Sequence, residues 1–141
     1  MTGKEYMEQI RNVRREIRLL EEQILRDTVY ASNVKAIRYD VDRVQTSPEG
    51  DRMADILSEI VRAEDKLREK IQTLMKQEDE ARSYLVLLRE EQERVLVLHY
   101  FRGLKWEDVA EQTYYSLSRI YEIKNEALNE LTHILNGRDE S

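Results

Sequence analysis

The side chains best placed to do chemistry in this sequence lie in one stretch, Ser116 to Leu131, SLSRIYEIKNEALNEL. Ile120, Ile123, Ala127 and Leu131 recur there at helical spacing, so they must face a core. The opposite face then presents Leu117, Ser118, Tyr121, Glu122 and Asn125. Those types suit the edges of bases in a DNA major groove. A Ser hydroxyl can bond several bases, Leu or Tyr can pack on a thymine methyl, and Glu can accept from the cytosine amino group. Arg102, Lys105, Arg119 and Lys124 are the nearby cations that could meet phosphates. No Arg or Lys falls on a base-facing position, so the set lacks the bidentate Arg–guanine contact.

Other chemistries find no support. Paired carboxylates, a nucleophile beside a base and a Gly-rich phosphate loop are all missing, so no catalytic residue is expected and the chain does not read as an enzyme. There is no Cys, and the two His, at 99 and 133, have no partner spacing, so no metal ligand set and no cofactor are expected. No apolar run approaches the roughly 18–20 residues that span a membrane. The start, MTGKEYMEQ, has no signal-peptide core, and a cytoplasmic protein with no membrane partner is the expectation.

The elements that must position the reading face can be laid out in turn. Val109 and Ala110 make a small apolar patch ahead of it. Gln112 to Tyr115 has no apolar period, and Ser116 is a good N-cap. A short helix, a turn and a longer helix beginning at a Ser form the helix-turn-helix pattern, whose second helix enters the major groove. Before it, Val95, Leu96, Leu98, Tyr100, Phe101 and Leu104 make a broad apolar surface, and Gly103 suits the position that ends a helix. Trp106 and Phe101 read as core anchors.

The first two thirds of the chain is heptad-patterned. Thr2 and Glu5 fit a capping box. Tyr6, Ile10, Val13, Ile17, Leu20 and Ile24 follow at alternating steps of four and three, with Asp27 breaking the series. Arg11, Arg14, Arg15 and Arg18 form a stripe beside it, balanced by neighbouring Glu. Residues 28–51 are less regular, helical to about 32 and helix or extended chain to Val44, with a loop at about 45–51 and Pro48 suited to a first helical position. From Met53 the heptad returns. Met53, Ile60, Leu67, Leu74, Ala81, Leu88 and Val95 fill one seam position, and Leu57, Glu64, Ile71, Glu78, Leu85 and Gln92 the other. Residues 52–102 read either as one helix or as two with a bend near Arg89 to Glu91. The seams can pair within one chain as a hairpin or between chains.

The fold class expected is all-α: a long N-terminal helical hairpin or coiled coil over 1–89, a C-terminal three-helix helix-turn-helix domain over 90–135, and a tail over 136–141. Charged residues make up 37% of the 141, which suits long exposed helices. The net charge of −6 is concentrated awkwardly for a DNA reader, because residues 90–135 carry five basic and nine acidic groups.

The segment VLVLHYFRGLKWEDVAEQTYYSLSRIYEIKNEALNEL resembles the C-terminal promoter-recognition domain of bacterial sigma factors. The parts that match are Tyr100 to Leu104, Trp106 to Ala110, and Ser116 to Leu131. The whole chain, with its KEYMEQIR start and RVQTSPEGDRMADIL segment, is similar to small phage and prophage transcriptional regulators of the ArpU- and RinA-like group. The resemblance implies control of late phage genes, with double-stranded DNA as partner and RNA polymerase as a second. It places Leu117, Ser118, Tyr121 and Glu122 at base-reading positions, and the heptads imply a homodimer. The sequence departs from the sigma pattern at Lys105, where a Ser or Thr cap is usual, at Thr113, where an apolar residue is usual, and at Tyr114, where Gly or a small residue is usual. If the turn needs positive φ at Tyr114, the cost is roughly 1–2 kcal/mol. The rival expectations are a phage assembly or DNA-packaging accessory protein, and a polymerase-binding modulator that never touches DNA.

Overall fold

The computed structural model describes the backbone of residues 1–41 and 48–139 and the side chains of 1–34 and 50–137. The fold is all-α. Two long helices, α1 (Gly3–Val41) and α2 (Pro48–Leu85), precede three shorter ones, α3 (Glu90–Leu96), α4 (Trp106–Thr113) and α5 (Leu117–Asp139). A π-helical turn, Val97–Phe101, follows α3 directly. Among the described residues no helix is long and apolar enough to cross a membrane. Pro48 opens α2, as its fixed φ favours. Of the loop expected at about 45–51, residues 45–47 lie outside the described residues, and 48–51 are instead the first turn of α2. α5 continues through 136–139, where the sequence suggested a tail, because the backbone ladder outlasts the last apolar residue, Leu135.

The chain divides into two compact units that differ from the boundaries read in the sequence. One comprises Met1–Arg14 with Thr73–Ser141, the other Arg15–Gln72. In the second unit α1 and α2 run antiparallel, fixed by the Lys70–Glu16 ion pair at 2.5 Å. Ile17 and Ala63 are its buried residues, with Leu20, Ile24, Asp27, Ala31, Val34, Met53, Ile56, Ile60, Leu67 and Lys70 half-buried. The heptad of α1 therefore runs on through Asp27 to Ala31 and Val34, where the sequence reading had it break. A short polar side chain is tolerated at one seam position because its neighbours keep the register.

The seam of α2 needs a larger correction. Met53, Ile60, Leu67, Leu74 and Ala81 turn inwards as expected. Their companions are Ile56, Ala63, Lys70, Gln77 and Tyr84, whereas Leu57, Glu64 and Ile71 are exposed. Either set keeps the spacing of three and four, so apolar content alone did not choose between them. Lys70 is compatible with the seam because its long stem packs there while its ammonium reaches Glu16.

In the first unit the start of α1 is built into the C-terminal helices. Met7, Ile10, Tyr84, Leu85, Leu88, Leu96, Tyr100, Phe101, Leu128, Leu131 and Leu135 belong to one core cluster. Tyr6 meets Tyr84 edge-on at 5.7 Å, and Arg14 pairs with Glu78, which takes Arg14 out of the proposed Arg stripe. The Gly3 N–H donates to Thr132 Oγ1 at 2.7 Å. α2 ends at Leu85 in tight turns, Leu87 N–H to Tyr84 and Leu88 N–H to Leu85. α3 then starts after Arg89, whose N–H is taken by the Gln92 side chain. Of the two readings of 52–102, the bend is the one observed.

Gly3 is where the chain passes closest to α5. A Cβ there would stand 2.5 Å from the Leu128 carbonyl oxygen and 3.0 Å from Leu131 Cβ. Gly3→Ala should therefore destabilise the fold in urea melts by about 1–3 kcal/mol through overpacking. Helix propensity alone predicts a gain of up to about 1 kcal/mol, so an unchanged or raised midpoint would contradict the close packing.

Candidate nucleic-acid interface

The interface is built on α4, its turn and α5. Val109 and Ala110 of α4 pack with Val95, Ile120 and Ile123 in a second core cluster. Lys105 is the residue before α4 and offers no side-chain cap, as its amine requires. Thr113 compensates at the other end by donating its hydroxyl to the Val109 carbonyl at 2.7 Å. Tyr114 adopts φ 63°, the left-handed conformation that the departure from a small residue had put in question. Its side chain is 95% exposed, so packing does not offset that strain. Ser116 Oγ then accepts the Arg119 N–H at 3.1 Å and caps α5.

The two faces of α5 separate as the spacing required. Ile120, Ile123, Ala127 and Leu131 are fully buried. Leu117, Ser118, Tyr121, Glu122 and Asn125 are all exposed, and the structure brings them together on the first turns of the helix.

The four cations are in different states. Arg102 and Lys105 are exposed and have no ion pair among the described residues. Arg119 donates to Glu122 at 3.1 Å and stands 3.9 Å from Glu91 of α3. The hydrogen bond it donates to Glu122, followed by the field of Glu91 and other carboxylates, holds its pKa above the ordinary arginine value. Glu91 is itself drawn to the turn, accepting from the Tyr115 hydroxyl at 3.3 Å. Lys124 is half-buried, with its ammonium 5.2 Å from the Trp106 ring centroid and 5.1 Å from that of Tyr121. It holds Tyr121 in place through cation–π attraction and is poorly placed as a phosphate clamp.

Sequence reasoning read the broad apolar surface below this face but missed how the backbone brings it to one side. Residues 95–101 are buried or half-buried without a gap, which an α-helix of 3.6 residues per turn cannot place on one side. The π-helical turn resolves this, with the Arg102 N–H reaching back five residues to Val97. His99, to which the sequence assigned no ligand role, is buried as a result. Its ring stacks on Trp106 at 3.7 Å and 14°, and Nδ1–H donates to the Leu104 carbonyl at 2.7 Å. The unbroken apolar run VLVLHYF was the available signal. Burial also pushes the Tyr100 hydroxyl up to about 12.

Two measurements follow from this geometry. Tyr114→Gly should raise stability by roughly 0.5–1 kcal/mol, the left-handed strain relieved less the extra unfolded-state entropy of Gly. A loss on denaturant unfolding would mean the turn is not strained. Burial, opposed by the bond to Leu104, lowers the His99 pKa below its ordinary 6.5. The unfolded chain therefore takes up the proton first, so this contribution is present above pH 6.5 and is lost as pH falls towards the folded value. The melting temperature should decline below that point, and His99→Phe should flatten the decline. An equal slope in both proteins would assign the pH dependence to other groups.

The chain matches no family model, no curated protein and no solved structure, so its own side chains must carry the functional reading.

Proposed function

We propose that the protein is a sequence-specific DNA-binding regulator of transcription, reading double-stranded DNA with the first turns of α5. One observation carries this: Leu117, Ser118, Tyr121, Glu122 and Asn125 stand exposed together on a Ser-capped helix whose other face is fully buried. A helix buried on one side and presenting short polar and apolar groups at its start fits the major groove. Arg102 and Lys105 supply phosphate contacts beside it. The resemblance to sigma factors and to ArpU- and RinA-like regulators points to phage or prophage late genes, a cytoplasmic setting and RNA polymerase as a second partner. On this reading the protein performs no catalysis. DNA fixes the reading face at a promoter, and the remaining surface recruits polymerase or a second copy.

A second reading, a polymerase-binding modulator that leaves DNA alone, draws on the acidic surround of Arg119. A guanidinium held between Glu91 and Glu122 gives up those partners when it meets a phosphate. That exchange weakens binding without preventing it.

The test is fluorescence anisotropy on duplexes from the DNA flanking the gene. Lys105→Glu should weaken binding about tenfold and reduce the salt slope by roughly one. Glu91→Gln should tighten binding several-fold by loosening the hold on Arg119. Absence of binding to any flanking duplex at low salt, together with capture of purified RNA polymerase, would establish the second reading instead.

A further inference from the structure

The unit formed by Arg15–Gln72 carries a second stripe beside its seam. On α2 the residues that directly follow the seam positions Ile56, Ile60, Ala63, Leu67 and Lys70 are Leu57, Val61, Glu64, Arg68 and Ile71. All five are exposed, Leu57 by 51% and Val61 by 56%. On α1 the residue directly after the seam position Ile24 is Leu25, exposed by 64%. Because the two helices run in opposite directions, a step of one residue past the seam rotates to the same side of the pair in both. Leu20 and Gln23 line one recess with Glu59, Arg62, Ala63 and Lys66, which puts Leu25 beside the turns of α2 that carry Leu57 and Val61. One broad side of the hairpin is therefore apolar at this level.

The order of residues along that stripe says what covers it. Val61 and Ile71 stand equally far either side of position 66, and so do Glu64 and Arg68. From Val61 to Ile71 the stripe reads apolar, acidic, basic, apolar, and that part is its own complement when reversed. A twofold contact between antiparallel helices demands this, since residue i meets j′ and j meets i′. We propose that this face is the surface through which two copies of the chain associate, α2 against α2 about a twofold axis level with position 66. In that register Val61 packs on Ile71 of the second copy, and Glu64 faces Arg68 twice over. Arg68 is bonded to Asp65 within its own helix at 3.0 Å, but both side chains are largely exposed, so the bond is weak and easily exchanged.

A second observation points the same way. Among its described residues this unit buries only Ile17 and Ala63. Two helices with one thin seam have little core, and four helices share a fuller one. A partner of unrelated sequence would also cover apolar side chains, but it would not account for the mirrored charges. The heptad seam that the sequence suggested for a homodimer is occupied within the chain.

Sedimentation of the full chain tests the proposal. The wild type should run at about twice 16.9 kDa, and Val61→Glu at the mass of one chain with unchanged helicity. Glu64→Arg alone and Arg68→Glu alone should each weaken association at least tenfold. Mixed together, they should return to the double mass, because each Arg then faces a Glu of the other variant. Charge pairing within a helix cannot produce that recovery. A wild type that stays at single-chain mass, a Val61→Glu protein that stays double, or a mixture with no gain over its components would each overturn the proposal. None of these residues belongs to α4 or α5, so the outcome is independent of whether α5 binds DNA.

Discussion

The close approach of the chain's first helical turn to α5 is the contact on which the rest of its unit depends. Gly3 lies against the Leu128 carbonyl and donates to Thr132, while Met7 and Ile10 enter the same core as Leu128 and Leu131. A recognition helix needs one face held rigidly so that the other can be presented. Here the support comes from three directions: α4 under the first turns, the π-helical turn through Tyr100 and Phe101, and the N-terminal turn of α1 against the far half of the helix. The unit is therefore larger than a three-helix domain. The residues that complete it are separated by more than a hundred positions in sequence.

Electrostatics limit what the reading face can do. Two of its four cations, Arg102 and Lys105, are available without loss of another partner. Arg119 has to leave Glu122 and Glu91, and Lys124 has to leave Trp106 and Tyr121. Phosphate attraction supplies most of the affinity of ordinary DNA readers, so on the proposed reading this face makes only weak contact as a single copy. The same arrangement favours order, since Arg119 and Lys124 fix Glu122 and Tyr121 before any ligand arrives. A preorganised but weakly charged surface gains its selectivity from shape and base edges more than from charge.

What the sequence could and could not show follows from the range of each interaction. The two faces of α5 and the Ser116 cap were legible because caps and helical periods are local, whereas positive φ at Tyr114 was raised only as a condition through the resemblance. The break between α2 and α3 was only one of two readings left open, and only one of the two seam positions of α2 was read correctly along its length. Ile56 and Leu57 fit the same period, and which of them turns inwards depends on α1, far away in sequence. Gly3 carried no local signal at all, because its importance lies in a carbonyl on another helix. Met7 did leave a trace, since it follows Tyr6 and widens the apolar stripe at the start of α1. His99 was misread because the π-helical turn shifts the face by one residue, and only the length of the apolar run VLVLHYF hinted at it.

Weak single-copy contact and a self-complementary hairpin face address the same physical problem. Two linked reading heads convert the second binding event into an intramolecular one, at an effective concentration set by the connection between them. Affinity for DNA then scales with the product of two modest contacts, and selectivity rises because both sites must match. The mirrored stripe on α2 shares no residue with the candidate reading face of α5, so a change in it alters association without altering the side chains that face presents. Conversely, if α5 reads DNA as proposed, the Glu91 and Glu122 carboxylates lower the affinity of one head without touching association. On the proposed reading, specific binding depends on keeping each head too weak to act alone, and the carboxylates of Glu91 and Glu122 beside Arg119 would serve that end locally.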